Sequence, residues 1–365
     1  MKVAVVANCD ILSEDNLGVF KKMYGQIQAF LYYGNEIDFF YNKSYMLIKE
    51  DINEKTNETI RPCNSEDRYC KLIKYIKEKE YNLIYMRYPM SDYYFLKFLY
   101  NIKLINKNIK IVIDFPTYPY ENEIKDNVDF LSIDIYFRKL LYNYVDFGIC
   151  YNNVSKIFNI PVYNIGNGID ISTIKKKTHI EKINEKEINL IGVANLSFWH
   201  GYDRIINGIK NYYNNGGNYT INFYVVGIGN ELANLINIVE KNALKEYVKF
   251  LGVKKGNELD EIFNLCDIGV GSLGMYRKGL IDGSELKNRE YCSRGIPFIF
   301  AYNDKDFPKN FKYAMKVKND NSNIDINSII KFYEELKTDN DVIYNMRSYA
   351  EKNLTWKKKM GIVLE

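Results

Sequence analysis

The residues best suited to chemistry lie in residues 283–297, where polar and charged side chains directly precede a short apolar run. Gly283, Ser284 and Glu285 form a polar loop that leads into a predicted helix. Their backbone N–H groups would lie at the helix N-terminus, where unpaired donors and the helix dipole favour a phosphate. Lys287 adds a mobile cation one turn further on. The pattern therefore predicts a helix end that binds the phosphates of a ligand.

Glu290 follows about two turns from the loop, where it can accept hydrogen bonds from hydroxyls of the same ligand. Leu286, at the junction of loop and helix, is counted with this binding segment. In a second interpretation Ser284 caps the helix, and Glu285 and Lys287 lie on a solvated face. Helix caps of this kind are common, so the segment alone leaves both interpretations open.

Two weaker features precede this segment. Gly227, in a Gly-Ile-Gly sequence, lacks the third glycine of a dinucleotide fingerprint, so a strand-to-helix turn beside the ligand is the better interpretation. His200 is a candidate general acid or base, because a free imidazole titrates near neutrality. Since the sequence identifies no carboxylate partner for it, a hydrogen-bonding role at a loop-to-helix turn competes with catalysis.

The first half of the chain offers a stiff loop after the apolar run 111–113. The loop begins at Asp114 and then contains two prolines and three aromatic residues, which suits stacking on a sugar ring. Thr117 and Tyr118 are its candidate contacts. Asp114 is a candidate for the reaction centre, with a structural Asp that caps the loop as the alternative.

Two further residues of the first half belong to the same predicted rim. Arg87 follows another apolar run and could contact an acidic acceptor. Gly18, in the loop after the first predicted strand, would let the backbone approach a phosphate. A plain loop glycine is an equal alternative for Gly18.

Composition limits the classes of function. The chain of 365 residues is 47% apolar, enough for two α/β domains that each bury a core. Its 50 Lys and Arg residues nearly balance 46 Asp and Glu residues, which argues against a nucleic-acid binder driven by phosphate neutralisation. Two histidines and six scattered cysteines, with Cys63 and Cys70 not in a CxxC spacing, argue against a zinc site and favour reduced thiols.

The N-terminal residues 1–7 are interpreted as a first strand, because the polar residues after them leave no room for the apolar core of a signal peptide. No apolar segment approaches the ~20 residues needed to span a bilayer. Residues 93–110 mix apolar side chains with lysines, which is typical of a helix that lies on a membrane and, more commonly, of a core helix with a solvated basic side. We expect a cytoplasmic protein, with a peripheral position at the inner face of the membrane as an open alternative.

Short β-branched runs alternate with helix-like stretches in two series, as in parallel sheets. The predicted strands are residues 3–7, 36–40, 83–86, 109–113 and 147–150, and then 188–193, 219–226, 248–251, 268–271 and 297–301. The predicted fold class is α/β, with two Rossmann-like doubly wound domains. Open parallel sheets bind ligands at the carboxyl ends of their strands, so two such edges that face each other would form a cleft.

A turn at residues 167–170 ends the first series, and a charged stretch follows it. The predicted domains are therefore residues 1–170 and 171–345. Residues 346–365 are predicted to form a C-terminal helix that crosses back to the first domain.

The second half of the chain resembles the family 4 glycosyltransferases of the GT-B fold, especially bacterial enzymes of capsule and surface-polysaccharide assembly. The matching pieces occur in order at residues 194–204, 224–229, 250–252, 258–259 with 266–268, and 284–297. Agreement in order is harder to obtain by chance than any single motif. The first half matches more loosely, through Gly18, Gln26, Gly34 and the turn at residues 167–170.

The resemblance implies roles for an acidic pair. The second member of the pair, here Glu290, binds the ribose of the donor. The first member, here Asp282, contacts the transferred sugar, and this chain has Asp where the family usually has Glu, which shortens the reach. Residues 250–253, with Val253, fit the position that packs against the base, and Gly227 lies in the turn beside the donor.

The family commonly has Arg and Lys after the first strand of this domain to hold the diphosphate, and these positions are Asn195 and His200 here. We expect Lys287, helped by Arg204 or Arg289, to supply the missing charge. In this interpretation Asp282, Lys287 and Asp114 are the catalytic residues. The acceptor-side residues are Arg87, Thr117 and Tyr118. The donor-binding residues are Gly18, Asn195, His200, Arg204, Gly227, Val253, Gly283, Ser284, Glu285, Leu286 and Glu290.

The resemblance implies an enzyme that moves a hexose-type sugar from a nucleoside diphosphate sugar to an acceptor hydroxyl in cell-surface glycan synthesis, with retention of anomeric configuration. The expected acceptor is a glycan or a lipid-linked molecule, and peripheral membrane contact is compatible with it. No metal or other cofactor is expected, and no nucleic acid. A non-catalytic GT-B subunit that binds a glycan or a partner protein is the main alternative, and a sugar-nucleotide epimerase is a weaker one.

Overall fold

The computed structural model describes residues 1–13, 16–62, 64–124, 126–178 and 184–364. Cys63, counted with the thiols above, lies outside these ranges. The chain divides into two compact units. Unit 1 comprises Met1–Gly168 and Trp356–Glu365, and unit 2 comprises Ile169–Thr355.

Unit 1 is an α/β layer structure. Its strands are β1 (Lys2–Asp10), β2 (Glu36–Lys43), β3 (Met46–Asp51), β4 (Thr56–Ile60), β5 (Leu83–Arg87), β6 (Lys110–Asp114), β7 (Phe147–Cys150), β8 (Lys156–Ile157) and β9 (Ile160–Asn164). Its helices are α1 (Leu17–Tyr32), α2 (Ser65–Lys79), α3 (Tyr93–Ile105), α4 (Val128–Phe137) and α11 (Trp356–Leu364). The sheet has the order β4-β3-β2-β1-β5-β6-β7-β9-β8.

Unit 2 repeats the architecture with fewer strands. Its strands are β10 (Glu187–Val193), β11 (Thr220–Val226), β12 (Val248–Phe250), β13 (Ile268–Val270), β14 (Phe298–Phe300) and β15 (Ala314–Lys316). Its helices are α5 (Tyr202–Asn214), α6 (Leu232–Lys241), α7 (Gly256–Leu265), α8 (Leu286–Arg294), α9 (Ile326–Leu336) and α10 (Val342–Asn353). The sheet is parallel, with the order β12-β11-β10-β13-β14-β15.

All ten predicted strands are present, as β1, β2, β5, β6, β7 and β10 to β14, and the α/β fold class is confirmed. The prediction missed five strands, β3, β4, β8, β9 and β15. Of these, β3 and β4 extend the sheet of unit 1 by antiparallel pairing next to β2. The β4 sequence, Thr-Asn-Glu-Thr-Ile, is mostly exposed and has no apolar alternation, so hydrophobic periodicity could not reveal it.

The strand order places a switch point in each sheet. In unit 1, β1 lies between β2 and β5, and in unit 2, β10 lies between β11 and β13. The loops that leave neighbouring strands diverge at such points and open a crevice at the carboxyl edge. The core strands are buried on both faces, as expected for parallel sheets covered by helices. The rigid sheets therefore fix where the edge loops begin.

The C-terminal helix α11 belongs to unit 1 by its packing. Trp356 fills the space above two glycines of that unit. A Cβ at Gly25 would lie 2.0 Å from Trp356 Cδ1, and one at Gly168 would lie 2.6 Å from its Cδ2. Any larger residue at either position would collide with the indole ring.

The predicted segment at residues 93–110 contains α3. This helix buries five apolar side chains in the core of unit 1: Phe95, Leu96, Phe98, Leu99 and Ile102. The core-helix interpretation is therefore confirmed for its inner face. Among the described residues, no helix combines the length and the apolar character that crossing a membrane requires.

Candidate functional site in unit 2

The loops at the carboxyl ends of β10, β11 and β12 are joined by backbone hydrogen bonds. Leu196 N–H donates to Ile228 O at 2.7 Å, and Gly227 N–H donates to Gly252 O at 2.7 Å. Gly227 has a φ of +123°, and a Cβ there would lie 1.9 Å from Ala194 O. Only glycine fits this turn, so the Gly227 loop makes the strand-to-helix turn that the sequence predicts.

Asn195 and Val253 lie at the same edge and are exposed. Asn195 leaves the end of β10, and its Oδ1 lies 2.7 Å from where a Cβ of Gly229 would be. Val253 follows Gly252 in the loop after β12. Both predicted donor contacts are therefore accessible to a ligand at this edge.

His200 ends a short 3-10 helix, Phe198–His200, and is buried. Its Nδ1 accepts the backbone N–H of Ser197 at 3.0 Å, so the neutral ring carries its proton on Nε2. Burial lowers the pKa of His200 well below its ordinary value, and the nearby charges of Lys287 and Lys278 lower it further. His200 is therefore a neutral hydrogen-bond donor at neutral pH, which suits it poorly for general base catalysis through Nδ1.

The loop after β13 is fastened to the His200 turn. Leu273 N–H donates to His200 O at 2.9 Å, and Gly274 N–H donates to Trp199 O at 3.1 Å. Arg277 binds the Asp203 carboxylate through two nitrogens, at 2.8 and 2.7 Å. A bidentate pair of this kind fixes orientation as well as distance, so the two loops hold one geometry.

Helix α8 begins later than the sequence predicts. Its first residue is Leu286, and Glu285 is the N-cap. The amide of Gly283, predicted to face a phosphate, donates to Asn303 O at 2.9 Å instead. The amide of Glu285 hydrogen-bonds the Tyr302 hydroxyl. The prediction of phosphate contacts from these two amides is therefore wrong, because neighbouring strand-end groups already satisfy them.

The helix end keeps two donors for a ligand. The amides of Leu286 and Lys287 open α8 and donate to no residue in the described ranges. Ser284 is buried beside them, and the Glu285 carboxylate accepts the Ser272 hydroxyl at 3.3 Å. Two unpaired N–H groups at a helix N-terminus, together with the helix dipole, form an anion-binding end.

Lys287 is the distinctive group of this edge. Its Nζ is buried, and it forms neither a hydrogen bond nor an ion pair with any residue that the structure describes. The nitrogen lies 5.6 Å from the centroid of the Tyr202 ring. Burial lowers the pKa of Lys287 to about 8, although the Glu285 charge opposes the shift. A buried ammonium without a partner is costly, and an anionic ligand would relieve that cost.

The acidic pair lies on either side of Lys287 along the chain. Asp282 Oδ1 accepts the side-chain amide of Asn303 at 2.9 Å, and Asp282 is partly exposed. On α8, Glu290 Oε1 accepts two hydrogen bonds from Arg294, at 3.0 and 2.9 Å. Arg294 holds that carboxylate in place, and Glu290 Oε2 accepts none of these bonds.

Two arginines expected to help Lys287 already bind other groups of unit 2 through their guanidinium nitrogens. Arg204 is buried, and its guanidinium donates to the carbonyls of Ser322, Leu273 and Lys318. Arg289 is fully buried and pairs with Asp304 and Asp306. The prediction of Arg204 as a donor-binding residue is wrong, because its nitrogens tie the β15 loop to α5. The proposed help from Arg289 fails for the same reason.

Sequence reasoning missed Lys278. It ends the 3-10 helix Met275–Lys278, is buried, and places its Nζ 4.6 Å from the centroid of the Trp199 ring. Its charge acts on His200, as that of Lys287 does. The available signal was an Arg-Lys-Gly sequence shortly before Asp282, which is inconspicuous in a lysine-rich chain.

Unit 1 assembles another polar group at its own carboxyl edge. Asp114, predicted to lie at the reaction centre, is completely buried. Its carboxylate accepts Lys22 Nζ at 3.1 Å, Gln26 Nε2 at 3.1 Å and the Tyr85 hydroxyl at 3.2 Å. In this structure the carboxylate is enclosed by groups that neutralise it, which favours the structural alternative for Asp114, and its catalytic role stays a prediction.

The remaining predicted residues of unit 1 lie near the surface of that edge. Arg87 ends β5 and is partly buried, and Gly18 is exposed in the first turn of α1. Thr117 and Tyr118 are partly buried in the loop after β6. The Tyr118 ring packs edge-on against Phe158, with centroids 5.7 Å apart. These residues share one edge, and their ligand roles stay predictions.

Known proteins resemble this chain in family and in fold. Residues 173–346 match the family model described as glycosyl transferases group 1. This range contains every predicted donor-side residue except Gly18. No curated protein gives a significant match to the chain.

Solved structures match both units along the whole chain. A sucrose-phosphate synthase from Thermosynechococcus elongatus has a TM-score of 0.65 at 13% identity, with 100% of this chain and 98% of that chain covered. HepE from Anabaena in complex with UDP has a TM-score of 0.63 at 14% identity, with coverage of 100% and 99%. The catalytic domain of starch synthase IV from Arabidopsis thaliana, bound to ADP and acarbose, has a TM-score of 0.66 at 9% identity and covers 100% of this chain and 98% of that one. The fold is that of GT-B glycosyltransferases, and the enzyme class is glycosyltransferase.

Proposed function

We propose that the protein transfers a sugar from a nucleoside diphosphate sugar to an acceptor hydroxyl during cell-surface glycan synthesis, with retention of anomeric configuration. One observation carries the proposal. Lys287 places a buried ammonium at the N-terminus of α8, and neither this ammonium nor the backbone amides of Leu286 and Lys287 have a hydrogen-bond partner in the part of the chain that the structure describes. This combination has the charge and the donors that a diphosphate requires. Relatives with UDP or ADP in their solved structures support the choice of ligand.

The unit 2 residues would act on the departing diphosphate. The bond between the anomeric carbon and the diphosphate oxygen breaks, and its electron pair leaves with the diphosphate. Lys287, the Leu286 amide and the Nε2–H of His200 then stabilise charge that is larger in the transition state than in the donor. The acceptor oxygen bonds to the anomeric carbon on the same face, and its proton passes to the departing oxygen.

The other donor contacts are assigned from where the residues lie along α8 and along the carboxyl edge of the unit 2 sheet. Glu290, oriented by Arg294, accepts hydrogen bonds from the ribose hydroxyls. Asp282 reaches toward the transferred sugar from the loop before α8. Asn195, Gly227 and Val253 border the nucleotide at the ends of β10, β11 and β12. Lys278 adds a second buried cation beside His200, in place of the basic residues that the loop after β10 lacks.

The acceptor side is assigned to unit 1. Arg87, Thr117 and Tyr118 lie at one edge of its sheet and offer a cation, a hydroxyl and an aromatic ring. A glycan or lipid-linked acceptor with an acidic group would fit these side chains. We infer a location at the cytoplasmic face of a membrane from the acceptor class.

The proposal is tested by titrating the wild-type protein with UDP, ADP and GDP in a calorimeter and then measuring hydrolysis of the matching nucleotide sugars. We expect one nucleotide to bind, with slow release of that nucleotide from one of its sugars. The control is Lys331→Ala, a lysine whose side chain is 80% exposed on α9 of the same unit. It should leave affinity and hydrolysis unchanged.

Three outcomes would contradict the proposal. Nucleotide binding that survives Lys287→Ala without loss would place the diphosphate elsewhere. Binding of a glycan without any turnover of a nucleotide sugar would identify a non-catalytic subunit instead. Conversion of the donor to another nucleotide sugar without an acceptor would identify an epimerase.

A further inference from the structure

The loop that carries Asp282 lies beside the chain segment that follows β14. Asp282 and Asn303 form an isolated parallel bridge. The Gly283 amide donates to Asn303 O at 2.9 Å, and the Asn303 amide donates to Ile281 O at 2.8 Å. These bonds involve only the main chain, so a change of side chain at position 303 leaves the two segments joined.

The side chain of Asn303 connects Asp282 to Lys316. Its Nδ2 donates to Asp282 Oδ1 at 2.9 Å, and its Oδ1 accepts the Nζ of Lys316, the last residue of β15. A lysine ammonium can only donate hydrogen bonds, and an ionised carboxylate can only accept them. The two partners therefore fix the orientation of the amide, because only its Nδ2 can face Asp282 while its oxygen faces Lys316.

This contact leaves Asp282 with one occupied oxygen and one open oxygen. In the part of the chain that the structure describes, Oδ1 accepts the Asn303 amide, and Oδ2 accepts no hydrogen bond. Asp282 is partly exposed, so a ligand can reach it. Oδ2 is therefore the oxygen that is available to a hydroxyl group of a ligand.

The second member of the acidic pair is held in a similar way. Glu290 Oε1 accepts both hydrogen bonds from Arg294, and Oε2 accepts neither. Each acid of the pair thus has one oxygen bound by a neighbouring side chain. For Asp282 that neighbour is a neutral amide whose far end bonds to an ammonium. Since a charge at one end of an amide polarises it, Lys316 strengthens the Asn303 N–H as a donor.

A fixed carboxylate has a physical advantage at this position. An unrestrained carboxylate at the surface samples several staggered side-chain conformations, and binding would have to select one of them. Asp282 also reaches less far than the glutamate that the family usually has, so its direction matters more. The Asn303 contact removes part of this freedom before a ligand arrives.

We propose that Asn303 is a positioning residue that directs Asp282 Oδ2 at a hydroxyl of the transferred sugar, and that Lys316 fixes the orientation of the Asn303 amide. This inference rests on the proposed function, in which Asp282 contacts that sugar. Asn303 acts through Asp282 and does not bind the nucleotide. A nucleotide and its sugar derivative therefore respond differently when Asn303 is changed.

The experiment is calorimetric titration of the full-length protein with UDP and with UDP-glucose, or with the corresponding pair if the titrations above select ADP or GDP. Asn303→Asp keeps the shape of the side chain and its bond from Lys316, but it places a second carboxylate against Asp282. We expect UDP-glucose affinity to fall about tenfold while UDP affinity stays the same. Lys316→Met, which frees the amide to turn, should lower UDP-glucose affinity about threefold.

An Asp282→Ala background shows whether Asn303 acts through Asp282. Adding Asn303→Asp to Asp282→Ala should cause no further loss of UDP-glucose affinity. The matched control is Asn353→Asp, because Asn353 is exposed on α10 of the same unit and its amide donates to Tyr349 O at 3.0 Å. It should bind both ligands as wild type does. Asn303→Asp should unfold at the wild-type temperature, since Asn303 is exposed and its main-chain bonds remain.

Four results would overturn the positioning role. Equal losses of UDP and UDP-glucose affinity in Asn303→Asp would mean that the residue supports the loop as a whole. A further loss in the double variant would mean that Asn303 contacts the ligand itself. Wild-type UDP-glucose affinity in Asn303→Asp would mean that Asp282 needs no positioning. Unchanged UDP-glucose affinity in Asp282→Ala, with donor hydrolysis intact, would remove Asp282 from the sugar and leave the proposed function standing.

Failure of the proposed function has a different signature. A wild-type protein that binds no nucleotide and hydrolyses no nucleotide sugar would contradict the proposed function, and the positioning role of Asn303 would fall with it.

Discussion

Lys22 in unit 1 and Lys287 in unit 2 are buried lysines at the carboxyl edges of their sheets, and they differ in their partners. Lys22 in unit 1 lies 3.0 Å from the Asp114 carboxylate and 3.7 Å from the centroid of the Tyr151 ring. Lys287 in unit 2 has no ion-pair partner among the described residues, and its Nζ makes no hydrogen bond to them. Burial lowers the pKa of Lys22 to about 8 and that of Lys287 to about 8 as well.

The comparison shows that a shifted pKa does not by itself mark a functional group. Lys22 and Asp114 complete each other, so their pair contributes to the structure of unit 1 and leaves little for a ligand. Lys287 has the same desolvation without the compensation. An anion from outside would compensate Lys287, and this difference is the basis of the donor-binding role that we propose for it.

The largest effect is expected when the ion pair between Lys22 and Asp114 is broken. Asp114→Asn removes the charge that compensates Lys22, and we expect the free energy of unfolding to fall by about 3–5 kcal/mol. Urea unfolding followed by circular dichroism measures this loss. The double variant with Lys22→Met should recover part of it, because the buried ammonium is then gone. A single variant as stable as wild type would mean that Lys22 is not held as an ion pair.

The next test removes the unpartnered lysine. Lys287→Met should lower turnover at saturating donor by about 10²- to 10³-fold, since a group that stabilises the leaving charge is lost. The free energy of unfolding should stay the same or rise by about 1 kcal/mol, because no partner is left uncompensated. Lys331→Met is the control, and its rate should match wild type. A marked loss of stability in Lys287→Met would show that this lysine has a structural partner.

A smaller effect is expected at Glu290, whose carboxylate is paired but partly exposed. Its side chain is 19% exposed, and its partner Arg294 is 7% exposed. Glu290→Gln should weaken nucleotide affinity by about 1–3 kcal/mol, because a charge-assisted bond to a ribose hydroxyl becomes a neutral one. Calorimetric titration of wild type and variant decides this. Equal affinities would mean that Glu290 only pairs with Arg294 and does not contact the nucleotide.

The pH dependence of nucleotide affinity distinguishes Lys287 from Lys22 in the wild-type protein, without a substitution. Nucleotide binding needs the protonated form of Lys287, so affinity should fall about tenfold per pH unit above about pH 8. In Lys287→Met this fall should vanish. Both lysines have folded pKa values below their unfolded ones, so between about pH 8 and 10.5 the unfolded state binds more protons and stability rises with pH. Affinity that is flat through pH 9 in wild type would argue against a charged Lys287 in the complex.

The least effect is expected from metal removal. The proposed chemistry places a lysine and backbone amides at the leaving diphosphate, where other enzymes use a metal ion. EDTA should therefore leave the transfer rate unchanged. A rate that falls with EDTA and returns with Mg²⁺ would show that the diphosphate needs a metal in addition to Lys287.

The sequence determined the fold class and the order of the main elements. Ten short apolar runs became ten strands, because a strand buried on both faces of a parallel sheet has to be apolar along its length. It also placed Lys287 and Glu290 correctly on one helix, since their spacing of three residues falls on one helix regardless of tertiary contacts. The exposed hairpin strand β4 was not predicted from the sequence, because its mostly polar residues do not form an apolar run.

Only the tertiary structure decided which polar groups have hydrogen-bond or ion-pair partners. Asp114 looked reactive as a single acid after a strand, but Lys22 and Gln26 lie 92 and 88 residues away in sequence and enclose it. The sequence predicted Arg204 as a diphosphate ligand. In the structure its guanidinium donates hydrogen bonds to loop carbonyls that lie more than sixty residues away in sequence. Lys278 was missed for a related reason, because the burial of a side chain depends on what packs against it. Spacing along the chain fixes which side chains share an element, whereas long-range packing fixes which charges are already neutralised and which still require a ligand.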